Sequence, residues 1–409
     1  NDMAVNPSSR SKISSFIVMD LLQAAAEKDK ELEAAGANQR VIHLEIGQPS
    51  TGAPKLVQTA AVKALEKDRL GYTEAFGVPP LRRQIAANYR KTSGVIVQPE
   101  SVITTTGSSG AFVVGFIACF DPGMRVAMAS PGYPCYRNIL QALGVEVVQL
   151  EVTEDSNWQP TVGMLETALR HGPLHGLIIA SPSNPTGTVL SAEELKALCE
   201  FCTANSVRLI SDEIYHGITL TRPATTALLF KPDAMIINSF SKYYSMTGWR
   251  LGWIVCQDVP LRQRLESLLQ NLFISAPTLS QLAGVAAFEC EEELERHVQR
   301  YKKNREVLVS RLPGCGFSRL STPQGAFYLY CEVSNLLKLT GCRDSMQLAT
   351  LILKHCAVAI TPGLDFDPAR GGKYIRFSFS GSTTDMHAAC DRLQAWHTGL
   401  STGSQKAAL

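Results

Sequence analysis

The sequence predicts an α/β fold with a mostly parallel seven-stranded sheet between helices, and a smaller α+β domain after it. Three observations predict this. First, seven short apolar runs recur: Val102–Thr105, Arg125–Ala129, Val145–Leu150, Leu177–Ala180, Arg208–Ser211, Met235–Asn238 and Leu251–Cys256. Several are continuously apolar, as a strand buried on both faces requires. Second, helical patterns fill the intervals between them, which is the signature of βα units. Third, the pattern changes after about Cys290. A long charged helix, Glu291–Leu312, leads into strands at Ala326–Glu332, Val358–Ile360 and Tyr374–Ser380, then a last helix from Thr383 to Trp396. Before the strand series, Ser14–Ala35 reads as an amphipathic helix with Ser14 or Ser15 as cap and Gly36 as stop. The expected division is a segment 1–45 packing with the small domain, a large domain 46–290 and a small domain 291–409.

Composition sets outer bounds. The chain has 409 residues, 45% hydrophobic and 19% charged, an ordinary globular balance. Its net charge of +2 and lack of a long basic run give no reason to expect nucleic acid or an anionic membrane as partner. The longest apolar runs, such as Ala111–Phe120, are too short to cross a bilayer. The N-terminus lacks the layout of a secretory signal. Eleven scattered cysteines suit reduced thiols in a cytoplasmic protein better than a disulfide framework. Cys199 and Cys202 have a metal-like spacing, but they fall in an expected helix, Ala192–Ala204, with no second pair. A zinc site wants four ligands, so no metal is expected.

The chemistry concentrates at the ends of the expected strands. Lys242 closes the run Asn238-Ser239-Phe240-Ser241-Lys242, and Arg250 follows. A lysine amine can form a Schiff base with an aldehyde and can later move a proton. Ser239, Ser241 and the planar fork of Arg250 suit phosphate oxygens. Gly107-Ser108-Ser109-Gly110 lies between a strand and an apolar helix, where backbone N–H groups and the positive helix end face an anion. Asp212 ends a strand and reads either as a carboxylate satisfied by its loop or as the partner of a heteroaromatic ring nitrogen. Asn184, in Ser183-Asn184-Pro185-Thr186-Gly187, and Tyr215 can both meet a ring oxygen, although the first run is also a plain turn former. Tyr133 can stack on a ring or serve as a structural tyrosine. Arg376 is a charge inside an apolar strand, so it needs an anion, either a structural acid or a substrate carboxylate. Taken together, these parts suit one cofactor, pyridoxal 5′-phosphate.

In order and spacing, these motifs resemble the class I/II aminotransferases of fold type I, the aspartate aminotransferase superfamily. The resemblance extends over nearly the whole chain. It rests on Ile46-Gly47-Gln48-Pro49, Tyr72 with Gly77 and Leu81-Arg82, Ser183–Gly187, Asp212–Tyr215, Ser239–Lys242, Arg250 and Arg376. It implies a pyridoxal-phosphate enzyme that moves an amino group from an L-amino acid to a 2-oxo acid with ping-pong kinetics. Lys242 would carry the Schiff base and shuttle the proton, and Asp212 would pair with the ring nitrogen. Asn184 and Tyr215 would bind the ring oxygen, while Ser108, Ser109, Ser239 and Arg250 would hold the phosphate. Tyr133 would stack on the ring, and Arg376 with Gly47 and Asn184 would receive the substrate. Tyr72 would reach the neighbouring subunit's cofactor, which implies a homodimer. Aspartate-preferring relatives often carry lysine where Ser109 stands, so aspartate is not implied as donor. Phe16-Ile17-Val18-Met19, which lies near the pocket in relatives, suits an apolar or mixed side chain. A β-eliminating lyase or a cyclopropane-forming synthase shares nearly all of these motifs and stays open as the alternative.

Overall fold

The computed structural model describes residues 5–37 and 39–402, so the outermost residues of the expected terminal segments lie outside the described residues. The first strand, β1 (Ile42–His43), pairs in parallel with a strand far downstream. The next seven form one sheet: β2 (Val102–Thr106), β3 (Arg125–Ser130), β4 (Glu146–Glu151), β5 (Gly176–Ala180), β6 (Arg208–Asp212), β7 (Met235–Ser239) and β8 (Leu251–Val255). Their spatial order is β2-β8-β7-β6-β5-β3-β4. From β7 to β4 every neighbour is parallel, and β8 runs against both β2 and β7. Each of the seven lies within one residue of its expected bounds at either end.

The apolar runs explain this sheet. In β5, Leu177 and Ile179 join one core with Leu209, Ile236 and Val255, while Ile178 joins the opposite core with Ile210, Ile237 and Ile254. The first four residues of β5 are buried, and each aliphatic side chain contributes about 1.5–3 kcal/mol when fully buried. The helices Gly107–Cys119, Pro134–Ala142 and Val259–Leu272 cover one face through Phe112, Leu140 and Leu265. The helices Pro79–Ser93, Val162–Arg170 and Ala192–Ala204 cover the other through Ile85, Leu165 and Leu195.

The second sheet comprises β9 (Arg319–Leu320), β10 (Tyr328–Glu332), β12 (Thr361–Pro362) and β13 (Tyr374–Ser378), antiparallel in the order β12-β13-β10-β9. The short β11 (Val358–Ala359) is the partner of β1. This sheet has its own core, with Leu329, Ile375, Phe377 and Trp396 inside it. The strand expected from Ala326 starts only at Tyr328, because Ala326 has φ +57° and cannot continue a pleat.

Two helix starts differ from the sequence reading. The first helix spans Ile17–Ala34 with Phe16 at its cap position, so neither Ser14 nor Ser15 caps it. Its free N–H groups at Ile17 and Val18 donate to the two carboxylate oxygens of Asp365 at 2.8 and 2.9 Å. A carboxylate there satisfies orphan donors and also complements the helix dipole. The helix expected from Ala111 begins at Gly107, which makes the glycine- and serine-rich run its first turn. The charged helix ends at Arg311, and the last helix continues to Ser401.

Candidate active site

Strands β2 to β7 point the same way, so their carboxyl ends share one edge. The reversed β8 begins at that edge, with Leu251 paired to Thr106 and Gly252 to Ser239. Open α/β sheets bind ligands at this edge. Here it carries a cavity of about 550 Å³. The sequence-predicted residues Ser108, Ser109, Tyr133, Asn184, Asp212 and Tyr215 line it, as do Ser241, Lys242, Arg250, Arg376 and Gly47.

One group forms an anion cup. The helix Gly107–Cys119 begins without a side-chain cap, which leaves its first N–H groups for a ligand. Arg250, in the left-handed region at φ +52°, lies against this helix start. A Cβ on Gly107 (φ +65°) would sit 2.5 Å from its Nη2, so only glycine fits there. Ser241 faces the cavity, but Ser239 does not. The Ser239 hydroxyl donates to the Leu251 carbonyl at 3.3 Å and accepts from the Ser241 N–H at 3.0 Å. It holds the turn that presents Ser241 and Lys242. Tyr72 is 83% exposed and lines a separate hollow with Arg69 and Thr278, away from its own chain's cavity.

A second group surrounds Lys242. Its Nζ donates to the Gly47 carbonyl and lies 5.7 Å from the Tyr215 ring centre. Burial pushes its pKa down to about 8, and the positive charges of Arg376 and Arg250 act in the same direction against Asp212. Asp212 is almost wholly buried and accepts from the Tyr136 hydroxyl and, at 3.1 Å, from the Ile214 N–H. Burial pushes its pKa up to about 7, although both of those hydrogen bonds pull it down. The Tyr215 hydroxyl meets that of Tyr328 at 2.7 Å, and burial raises its pKa well above the usual value. Tyr133 packs edge-on against Tyr136 with ring centres 5.5 Å apart.

The third group centres on Arg376, in the middle of the second sheet on β13. It is 5% exposed. Its partners are neutral: Asn184 Oδ1 at 3.0 Å, the Glu45 carbonyl at 2.7 Å and the Thr361 hydroxyl at 3.4 Å. The guanidinium lies 4.4 Å from the Tyr328 ring centre and 4.9 Å from that of Phe366, and its buried Nε has no partner among the described residues. A Cβ on Gly47 would sit 2.9 Å from the Tyr328 hydroxyl and 3.7 Å from Arg376 Nη2, so glycine keeps this space open.

Sequence reasoning missed Tyr136, Tyr328, Ile214, Leu22 and Glu45, which also line the cavity. Tyr136 stands one helical turn after Tyr133, a spacing that could have revealed it. Tyr328 and Glu45 enter from the second sheet and the N-terminal stretch, and no local signal points to them. Val18, from the run set near the pocket, does line the cavity, whereas Met19 is exposed.

Solved structures match this arrangement. An aminotransferase from Mycobacterium tuberculosis superposes with a TM-score of 0.91 at 45% identity, covering 97% of this chain and 100% of that one. The aspartate aminotransferase from Thermus thermophilus with maleate gives 0.86 at 27% identity, covering 96% and 100%. The fold is therefore that of the fold type I pyridoxal-phosphate-dependent transferases. The family profile described as aminotransferase class I and II matches residues 39–393, and the chain belongs to that family. Among curated relatives, the valine–pyruvate aminotransferase of Mycobacterium tuberculosis is 46% identical over 391 residues, 95% of this chain and 97% of the relative. The (5-formylfuran-3-yl)methyl phosphate transaminase of Methanocaldococcus jannaschii is 34% identical, covering 93% and 96%. The protein is an aminotransferase that uses pyridoxal 5′-phosphate to move an amino group between an amino acid and a 2-oxo acid. The elimination and cyclopropane-forming reactions left open by the sequence are not the activity these relatives share.

The residues present fit that cofactor. The cup offers hydroxyls, helix N–H groups and a guanidinium to a phosphate. Lys242 offers an amine of lowered pKa, and Asp212 offers a buried carboxylate whose Tyr136 and Ile214 contacts fix its position. Gly252 keeps the cup tight, because a Cβ there would sit 2.9 Å from the Ser108 N–H nitrogen.

Proposed function

We propose that the chain transfers the amino group of an L-amino acid with an apolar or mixed side chain to a 2-oxo monoacid, by a ping-pong route through Lys242. The observation that carries this is Arg376: a buried guanidinium in the cavity wall whose recorded partners are all neutral. Such a charge is costly unless an anion joins it, and a substrate α-carboxylate supplies two parallel oxygens. Val18, Leu22 and Ile46 give the adjoining wall its apolar character. Serine at position 109, and a relative named for valine and pyruvate, support a donor other than aspartate.

Bound pyridoxal phosphate supplies a carbonyl that takes up the amino group and a ring that withdraws charge from the substrate Cα. The chain's residues do the rest in this reading. Ser108, Ser109, Ser239, Ser241, Arg250 and the helix start hold the phosphate, and Ser239 also shapes the turn that presents Ser241 and Lys242. Asp212, positioned by Tyr136, faces the ring nitrogen and keeps its proton in place. Asn184 and Tyr215 meet the ring oxygen, and Tyr133 covers the ring. Lys242 Nζ takes the proton from the substrate Cα and delivers it two bonds away, to the carbon that carried the cofactor's carbonyl, as an amine with a pKa near the working pH can. Arg376, with Asn184 and the Gly47 backbone, orients the substrate.

At the scale of the assembly, the reading is a homodimer in which Tyr72 reaches the partner's cofactor phosphate. The exposure of Tyr72 supports this. The working division is 46–290 for cofactor binding and 291–409 for the smaller domain, with 1–45 packed on the latter. Contacts of the helix Ile17–Ala34 with the helix Ser345–Cys356, and its Asp365 cap, support that packing. Eleven unpaired cysteines, nine of them buried, support a reducing, cytoplasmic setting. Borohydride reduction followed by peptide mass spectrometry tests the core of the proposal. A cofactor adduct is expected on the Lys242 peptide and is lost in Lys242→Ala; an adduct elsewhere, or none, overturns it.

A further inference from the structure

Val18 and Leu22 line the cavity from one helix, Ile17–Ala34, and the two are not held alike. Leu22 follows Leu21, which is 1% exposed and packs into the core of the second sheet, and Ala25 joins a smaller core with Val41 and Ala359. These contacts fix the middle of the helix. Its first turn lacks them: Ile17 and Val18 are half-buried and Met19 is exposed. Among the described residues, one side chain bonds to that turn from elsewhere in the chain. Asp365, 5% exposed, turns both carboxylate oxygens to it, Oδ1 to the Ile17 N–H at 2.8 Å and Oδ2 to the Val18 N–H at 2.9 Å. Asp365 is itself locked, because its carbonyl accepts from Arg137 Nη2 at 3.2 Å. The next residue, Phe366, lays its ring 4.9 Å from the Arg376 guanidinium and accepts the Gly132 N–H at 3.0 Å. Two successive residues thus hold an apolar wall and the guanidinium in one frame. A helix start that loses its acceptor has two orphan donors and frays within its first turn. Val18 lies inside that turn, and Leu22 lies beyond it.

We infer that Asp365 is a positioning residue for substrate choice, which sets Val18 against the substrate side chain by gripping the N–H groups of the first helical turn. The substrates it favours are aliphatic L-amino acids, whose carbons beyond Cβ gain from a wall held at a fixed distance from the carboxylate anchor. Alanine, with no such carbons, gains nothing from it. This rests on the aminotransferase reading with Arg376 as the anchor of the α-carboxylate.

The test follows single-turnover amino-group release by the cofactor-loaded protein with alanine, valine and leucine, each as a second-order rate constant. Wild-type protein should favour valine or leucine over alanine by roughly tenfold or more, the scale of added methylenes in an apolar pocket. Asp365→Ala should cut that ratio by about fivefold, within the range for a lost helix cap, and leave pyridoxal-phosphate affinity and the alanine constant nearly as they were. Asp365→Asn, which keeps one acceptor oxygen, should retain part of the ratio. In a Val18→Ala background, Asp365→Ala should change the ratio by less than about twofold, because the side chain it positions is gone. An unchanged ratio in Asp365→Ala overturns the inference. So does an equal loss for all three amino acids, which would make Asp365 a stability residue only, or full additivity with Val18→Ala. A wild-type protein with no aliphatic preference overturns it as well. If Asp365→Ala does not fold, Asp365→Asn alone and with Val18→Ala decides by the same ratios. If no amino acid at all releases its amino group to the loaded protein, the aminotransferase reading falls too, an outcome distinct from a wrong preference.

Discussion

Lys242 and Asp212 are opposite charges held in one buried site, and burial moves both pKa values toward neutrality. The lysine comes down to about 8 and the aspartate rises to about 7. An amine must lose its proton before it can add to a carbonyl. The uncharged fraction of Lys242 grows as pH rises through about 8, whereas an unperturbed lysine would need a pH above 10. The rate at which cofactor-free protein takes up pyridoxal phosphate is therefore expected to climb up to about pH 8 and level off beyond it. Stopped-flow absorbance checks this, and a rate still rising at pH 10 contradicts the lowered pKa. For Asp212, substitution by Asn should cut turnover by ~10²-fold or more, the scale seen when a key electrostatic group is removed. Tyr136→Phe removes a bond that pulls the Asp212 pKa down, so the acidic limb of the kcat/KM profile should move to higher pH. A change in thermal stability with an unmoved profile would make Tyr136 a packing residue only.

At the scale of elements, the site is a product of strand ends. Six strands of the large sheet deliver their carboxyl ends to one edge, and the reversed β8 starts there, which brings Arg250 back beside the helix that begins at Gly107. The fit between that helix start and the guanidinium depends on a missing side chain. Gly107→Ala would place a Cβ 2.5 Å from Arg250 Nη2 in a backbone region that costs roughly 1–2 kcal/mol for an L-residue. The expected outcome is a pyridoxal-phosphate affinity reduced by about tenfold or more, from strain and a displaced charge-assisted contact. Spectral titration measures it. Unchanged affinity would show that the cup does not bind the phosphate through this turn.

For the whole molecule, the site joins two sheets and, in the proposed dimer, two chains. The large sheet brings Lys242, Asp212 and Arg250, while the second sheet brings Arg376 and Tyr328. If Tyr72 serves the neighbouring site, two defective variants should complement each other. Mixing Lys242→Ala with Tyr72→Ala and allowing subunit exchange creates one intact site per mixed dimer. At limiting cofactor, about a quarter of wild-type activity should return by random pairing in a two-fold dimer. Activity no greater than that of the Tyr72→Ala homodimers would exclude a shared site.

How far the sequence alone reaches depends on how local each signal is. The inner strands of the large sheet were legible to within a residue because burial on both faces demands continuous apolar runs, and the edge strand β4 was legible from a shorter one, Val147-Val148 with Leu150. Lys242, Asp212, Asn184, Tyr215 and Arg250 were legible because each sits in a compact turn motif at a strand end. The cap of the first helix was not, because its acceptor, Asp365, lies 348 positions from Ile17. Tyr328 pairing with Tyr215, Glu45 beside Arg376 and the Ser239 bond to the Leu251 carbonyl were equally invisible. The sequence by itself determined the sheet and the order of the site's parts, since hydrophobic period and turn chemistry are written over a few neighbouring residues. Only the tertiary structure decided which side chains meet in the cavity, because those contacts span hundreds of residues and depend on packing that no local pattern encodes.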